Sequence, residues 1–211
     1  GQAYSSKALV IFDLIGTITT DPHLIRSTLS TILENQGISF TYQDVKDLYE
    51  KYKVGAISDN EFWNGIGIPE EEHRTYEDLL IDNIELRPHV IEVIQNIHDS
   101  NHTAILSNIP SQWGNRITEK FELNAYFDEM IFSGDYKTKK PDPELYKAVL
   151  SKFPDVHPSR VFIVDNELGD LKAAKHHMMN TIWLEVEEKD CMFVPDHIVE
   201  EIDEITKILN E

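Results

Sequence analysis

Hydrophobic and polar positions follow two rhythms along this chain. From Lys7 to Asp13 the run Lys-Ala-Leu-Val-Ile-Phe-Asp is short, continuous and rich in β-branched and aromatic residues, which predicts a strand buried on both faces of a parallel sheet. Residues 103–107, 130–133, 161–165 and 181–184 carry the same signature. Between these runs the spacing becomes helical. Pro88 is read as opening one helix, with Val90, Ile94 and Ile97 on its buried face, and Pro143 as opening another through Leu145, Val149 and Leu150. Near the end, Ile198, Ile202, Ile205 and Leu209 fall on one helical face. Strands alternating with helices predict an α/β fold, an open, doubly wound, Rossmann-like parallel sheet.

Residues 22–84 break the alternation with four helical patterns in succession and no strand. The first ends at Gly37, Thr41 caps the second through Tyr52, Ser58 or Asp59 caps a third through Trp63, and the fourth runs over 70–84. The pattern predicts a helical subdomain, residues 20–85, inserted into a core made of residues 1–19 and 86–211. Its two links, near Thr19-Thr20-Asp21 and Glu85-Leu86-Arg87, are natural hinges. Phe62, Trp63 and Tyr52 are read as the subdomain's own core.

Composition narrows the partners. The 211 residues are 41% hydrophobic and 27% charged, which suits a globular chain, and a net charge of −19 repels phosphate backbones and anionic lipid. Nucleic acid and membrane surfaces are therefore excluded as expected partners, and no apolar run approaches the ~18 residues of a membrane span. A single cysteine, Cys191, forms no internal disulfide and suits a reducing cytoplasm; its neighbours Met192, Phe193 and Val194 predict burial. Gly1-Gln2 is read as the remnant of a trimmed tag. The acidic clusters at 70–72, 185–190 and 200–204 read as solvated faces, and the adjacent His176 and His177 as structural.

In open α/β sheets ligands bind outside the carboxyl ends of the strands, so the residues that end each strand carry the chemistry. They are Asp13-Leu14-Ile15-Gly16-Thr17, Ser107-Asn108, Lys139-Lys140-Pro141-Asp142-Pro143 in the loop after the third strand, and Asp165-Asn166. A carboxylate at a strand end can act as a nucleophile through an aspartyl-phosphate, and Asp13 is the candidate. Phosphoryl transfer builds charge on equatorial oxygens, which a small hydroxyl donor, Ser107, and a fixed ammonium, Lys140, would stabilise. Mg²⁺ prefers hard oxygen ligands, and Asp13, the Ile15 carbonyl and Asp165 would provide them. Asp170, five residues further on, is read either as part of the metal shell or as an exposed first-turn aspartate.

These four motifs, Phe-Asp-Leu-Ile-Gly-Thr, Ile-Leu-Ser-Asn, Lys-Lys-Pro-Asp-Pro and Ile-Val-Asp-Asn, in this order, resemble those of the haloacid dehalogenase superfamily over nearly the whole chain. The resemblance implies a Mg²⁺-dependent hydrolase, a phosphatase of a small phosphorylated metabolite, whose substrate-binding positions include Thr17 and Asn108. It implies that residues 20–85 resemble the family's helical cap, and that residues 52–58 look like its specificity loop. There Lys53 offers a cation to a remote anionic group and Gly55 permits close ligand approach, the alternative being an ordinary turn. One position departs from the family: its phosphatases carry a second aspartate two residues after the nucleophile, where this chain has Ile15. General acid–base help of that kind is worth ~10²–10⁴ in rate. The departure leaves three readings: a phosphatase with weakened acid–base catalysis, a catalytically silent binder of a phosphorylated ligand or protein, and a metal-independent 2-haloacid dehalogenase.

Overall fold

The five expected strands are present in the computed structural model, which describes residues 3–184 and 192–211. They are β1 (Leu9–Phe12), β2 (His102–Ser107), β3 (Glu129–Phe132), β4 (Val161–Asp165) and β5 (Asn180–Leu184). A sixth, β6 (His197–Val199), joins at the edge, and the sheet runs parallel in the order β3-β2-β1-β4-β5-β6. β1 is central, and the chain turns to opposite sides of it for β2 and β4. Period-two alternation sorts its side chains: Val10 and Phe12 enter one apolar cluster, Leu9 and Ile11 the other.

β6 corrects the helical reading of the C-terminal end. Ile198 lies in this strand and is exposed, and the helix there, α9 below, begins only at Glu204. Just before the strand, the Asp196 carboxylate accepts hydrogen bonds from the Thr181 backbone N–H (2.8 Å) and hydroxyl (3.1 Å), which aligns the chain alongside β5. Spacing alone could not reveal that tie. Cys191, the acidic run 185–190 and Gly1-Gln2 lie outside the described residues. Among the described residues, no helix is long and apolar enough to cross a membrane.

Between β1 and β2 the chain is helical. A π-helical turn, Leu24–Leu29, leads into α1 (Ser30–Asn35), followed by α2 (Tyr42–Lys53), α3 (Asp59–Ile66) and α4 (His73–Asp82). Thr41 caps α2, its hydroxyl accepting from the Asp44 N–H at 3.3 Å. Ser58, not Asp59, caps α3 through a reciprocal box with Glu61, and α3 runs on to Ile66 before Gly67 ends it. The core helices are α5 (Val90–Ser100), α6 (Ser111–Lys120), α7 (Pro143–Ser151), α8 (Leu168–Lys175) and α9 (Glu204–Leu209). Pro88 does not open α5, which starts two residues later behind His89. Pro143 does open α7, with the Asp142 carboxylate accepting from the Glu144 N–H at 2.9 Å.

The expected hinges are strapped together. Thr19 and Leu86 form an antiparallel bridge, flanked by Thr20 N–H to Glu85 O (3.1 Å) and Arg87 N–H to Ile18 O (2.9 Å). Buried apolar side chains of the helical segment form one continuous cluster with β1, α5 and α6, while α7 and α8 cover the opposite sheet face. The segment is thus packed against the sheet domain as well as linked to it.

Candidate active site

Parallel pairing of β1 with both β2 and β4 fixes which residues meet at the sheet's carboxyl edge. Phe12 stands in register with Ile105 and Val164, so Asp13 emerges beside Asp165 and near Ser107. The Asp13 N–H still donates to Val164 O (2.9 Å), which holds the residue as an extension of the strand. The turn that follows depends on Gly16. Its φ is +83°, and a Cβ there would lie 2.7 Å from Pro22 Cβ. Arg87 clamps the same turn from below, donating to Gly16 O and Thr17 O at 2.9 Å each.

Lys140 reaches this edge from the loop before α7. Asn108 sets its backbone: the amide Oδ1 accepts from Lys140 N–H at 2.7 Å and Nδ2 donates to Lys140 O at 3.0 Å. The ammonium then lies 3.2 Å from Asp13 Oδ1, 2.9 Å from Asp165 Oδ2 and 3.8 Å from Asp170 Oδ2. All four groups are largely buried. Asp170 is therefore not an exposed first-turn aspartate: its side chain is 15% exposed and turned toward Lys140. With its nitrogen facing the carboxylates, the Asn166 amide donates to Asp13 Oδ2 (2.8 Å) and Asp165 Oδ1 (3.3 Å).

Burial and crowding decide the charges. Desolvation, then the neighbouring Asp165, raise the Asp13 carboxyl well above the ordinary range, with Lys140 pulling the other way. Asp170 is pushed up to about 7, chiefly by desolvation and then by Asp165. For Lys140, burial favours the neutral form, yet the attraction of Asp13, Asp165 and Asp170 outweighs it and keeps the ammonium charged. Three carboxyl groups crowd one ammonium in a low-dielectric site; they are the oxygen donors that suit a hard divalent cation, whose charge would in turn favour their ionised forms. Among the described residues, no three acidic, histidine or cysteine side chains already converge as a ligand set. The fit therefore rests on Asp13, Asp165 and a backbone carbonyl such as that of Ile15.

Above this edge opens a cavity of about 350 Å³, lined from below by Asp13, Ile15, Ser107, Asn108, Lys140 and Asp170. Its roof comes from the helical segment: Arg26, and one face of α2 presenting Tyr42, Lys46, Tyr49 and Lys53 with Glu50 beside them. Lys53 thus reaches the cavity, but it is committed, donating to Glu50 Oε1 at 2.8 Å while Lys139 holds the other carboxylate oxygen. Those lysine contacts outweigh desolvation and lower the Glu50 carboxyl. Two expected substrate-binding residues lie elsewhere. Thr17 is fully buried, its hydroxyl 3.3 Å from the Asn166 amide, and is outside the cavity lining. Gly55 (φ +75°) lies against the core loop: a Cβ would fall 2.4 Å from Gly134 O, so its missing side chain admits a backbone, not a ligand. Lys137 donates to Gly55 O, and Ser133 Oγ donates to Lys53 O at 2.6 Å, docking the loop there.

The roof residues Tyr42, Lys46 and Tyr49 were not anticipated, although their spacing with Lys53, four, three and four, marks one helical face. Nor was Trp113. From α6 it enters the aromatic group of the helical segment, stacked on Tyr49 (centroids 5.6 Å, 22°) and edge-on to Tyr52 and Phe62. Arg116, one turn on, donates to Glu77 (2.8 Å) and Asp78 (2.6 Å) of α4.

Residues 7–177 match a family model described as haloacid dehalogenase-like hydrolase. A curated relative, "Phosphorylated carbohydrates phosphatase" of Thermotoga maritima, is 29% identical over 67% of this chain and 59% of its own length. The chain thus spans less than two thirds of that relative. Among solved structures, the magnesium-bound HAD hydrolase YfnB of Bacillus subtilis superposes with TM-score 0.74 at 18% identity, covering 98% of this chain and all of that one. A 2-haloacid dehalogenase of Pseudomonas syringae gives TM-score 0.71 at 18% identity, over 97% and 98%. At such identities these structures establish the fold, not the reaction.

Proposed function

The chain belongs to the haloacid dehalogenase-like hydrolases, and from that premise we propose that it is a Mg²⁺-dependent phosphatase of a small phosphorylated metabolite, working through an aspartyl-phosphate on Asp13. The observation that carries the reading is the ion-paired group of Asp13, Lys140, Asp165 and Asp170, of which Asp13, Lys140 and Asp170 line the floor of one cavity. Residues 20–85 act as the cap over a core of residues 1–19 and 86–211, and the roof of that cavity is where specificity resides.

Asp13 attacks phosphorus, the bond to the leaving oxygen breaks, and water then attacks the phosphorus of the aspartyl-phosphate to release inorganic phosphate and restore the carboxylate. Lys140 holds Asp13 in place and offers positive charge to the equatorial oxygens; Ser107 lines the same floor and offers a hydroxyl donor. Mg²⁺, held by Asp13, the Ile15 carbonyl and Asp165 with Asp170 alongside, would add positive charge against the developing phosphoryl charge. Asn108 is a positioning residue, since both ends of its amide are spent on the Lys140 backbone. Ile15 carries no proton to give, so the leaving oxygen departs without acid assistance and substrates with low-pKa leaving groups are favoured.

The test is trapping with beryllofluoride or aluminium fluoride plus Mg²⁺, followed by a series of substituted aryl phosphates. Stable trapping that is lost in Asp13→Asn, with rates falling steeply as leaving-group pKa rises, supports the reading. A flat dependence removes the missing-acid argument. Ile15 in the cavity wall favours one other reading, a silent ligand-binding relative, and absence of trapping together with absence of turnover would select it.

A further inference from the structure

The roof of the cavity holds more positive charge than its own acid neutralises. Glu50 is shared by Lys53 and Lys139. Arg26 and Lys46 line the same cavity, are solvent-exposed, and make no ion pair among the described residues. That is unusual company in a chain of net charge −19, where acids outnumber bases 38 to 19. The Arg26 guanidinium also lies over the Tyr42 ring, 5.1 Å from its centroid, a cation–π contact that ties it to the N-terminal end of α2.

The two ends of the roof are distinguishable. Lys53 shares Glu50 with Lys139, the chain neighbour of Lys140, and so marks the reacting end. Lys46 lies two turns away along α2, about 10 Å at 1.5 Å per residue, on the side of Tyr42 and Arg26. A phosphoryl group seated at Asp13 would therefore leave the far end of a small substrate facing Arg26 and Lys46. Resting on the phosphatase reading above, we propose that the substrate carries a second anionic group, a carboxylate or a further phosphate, which Arg26 and Lys46 bind at the mouth of the cavity. Lys53, the residue the sequence singled out for that contact, is instead held by Glu50 beside the reacting end.

The experiment uses ligands that cannot turn over. With Mg²⁺ present, benzylphosphonate, (4-carboxybenzyl)phosphonate and 1,4-xylylene bisphosphonate are titrated calorimetrically into the full chain. The two-headed ligands are expected to bind roughly tenfold more tightly than benzylphosphonate, the scale of one charge-assisted bidentate contact. Whichever of them shows the larger ratio identifies carboxylate or phosphate. In the charge-removing double variant Arg26→Gln/Lys46→Gln, which alters exposed side chains, the ratio should fall to about one. A ratio near one in the unaltered chain, a ratio that survives the double substitution, or failure of all three ligands to bind overturns the proposal. Fluoride trapping with no preference for two-headed ligands would sink this inference alone. A preference that depends on Arg26 and Lys46, with no trapping, would sink the phosphatase reading and keep the anion site.

Discussion

The helical segment meets the rest of the molecule on two sides, and the two contacts are built from opposite materials. On the α6 side, Trp113 is fully buried among Tyr49, Tyr52, Phe62 and Trp63, and its indole N–H has no hydrogen-bond partner among the described residues. On the β1 side, α2 faces Asp13, Lys140 and Asp170 across a cavity edged with charge. Only one of the two contacts needs to hold the segment in place. Because the dry aromatic side supplies that, the charged side need not be filled, and Lys46 and Arg26 can stay exposed at the cavity.

If this division holds, changes on the two sides should separate chemistry from stability. The largest effect is expected from Asp13→Asn, which should lower turnover by at least ~10³-fold while the thermal midpoint holds or rises, since a crowded buried charge is removed. A fall in midpoint would show that the charged side also carries structural weight. Trp113→Ala should destabilise by ~3–5 kcal/mol, the range for deleting a large buried aromatic, read as a lower urea midpoint. Near-native stability in that variant would break the comparison outright.

Arg116→Ala tests the polar rim of the dry side. Glu77 is buried, its carboxylate accepting from Gln112 as well as from Arg116, and stranding it should cost ~2–3 kcal/mol. Glu77→Gln in the same chain should recover part of that loss in a double-mutant cycle. The smallest effect concerns pH. The Arg116 hydrogen bond holds the Asp78 carboxyl below its usual value, so the unfolded chain takes up this proton first as pH falls. The stabilisation is complete above the ordinary aspartate range and is lost as pH falls through the lowered folded value. Because Asp78 is 45% exposed, screening should reduce it to a few tenths of a kcal/mol, seen as a gap between the unaltered chain and Asp78→Asn that closes below pH 4.

The floor of the site was largely legible because its residues end strands, and strand ends can be read from short apolar runs. Asp13, Ser107 and Asp165 then meet by sheet order, and Lys140 joins them from the loop before α7 through the Asn108 amide. The roof was harder to read. Tyr42, Lys46, Tyr49 and Lys53 share a helical face by spacing, but periodicity does not say what that face looks upon. Trp113 packs on residues fifty to sixty-four positions earlier, a pairing no local pattern contains. Gly55 reads as a place of close ligand approach, and the fold puts the Gly134 backbone there instead. At Ile198 a spacing that suits a helix belongs to an edge strand, because the Asp196–Thr181 tie acts from outside the window.

The aromatic packing around Trp113 also gives the protein an optical readout of its own site. The chain has three tryptophans. Trp113 stacks on Tyr49, which itself lines the cavity, and Trp63 lies 6.1 Å from Trp113. The third, Trp183, donates its indole N–H to the backbone oxygen of Asn166 (3.0 Å), whose amide touches the buried carboxylates of Asp13 and Asp165. Every indole in the molecule is therefore within one or two residues of the cavity, and none is a distant bystander diluting the signal. Intrinsic emission should follow ligand entry without a label, the roof reporting through Trp63 and Trp113 and the floor through Trp183.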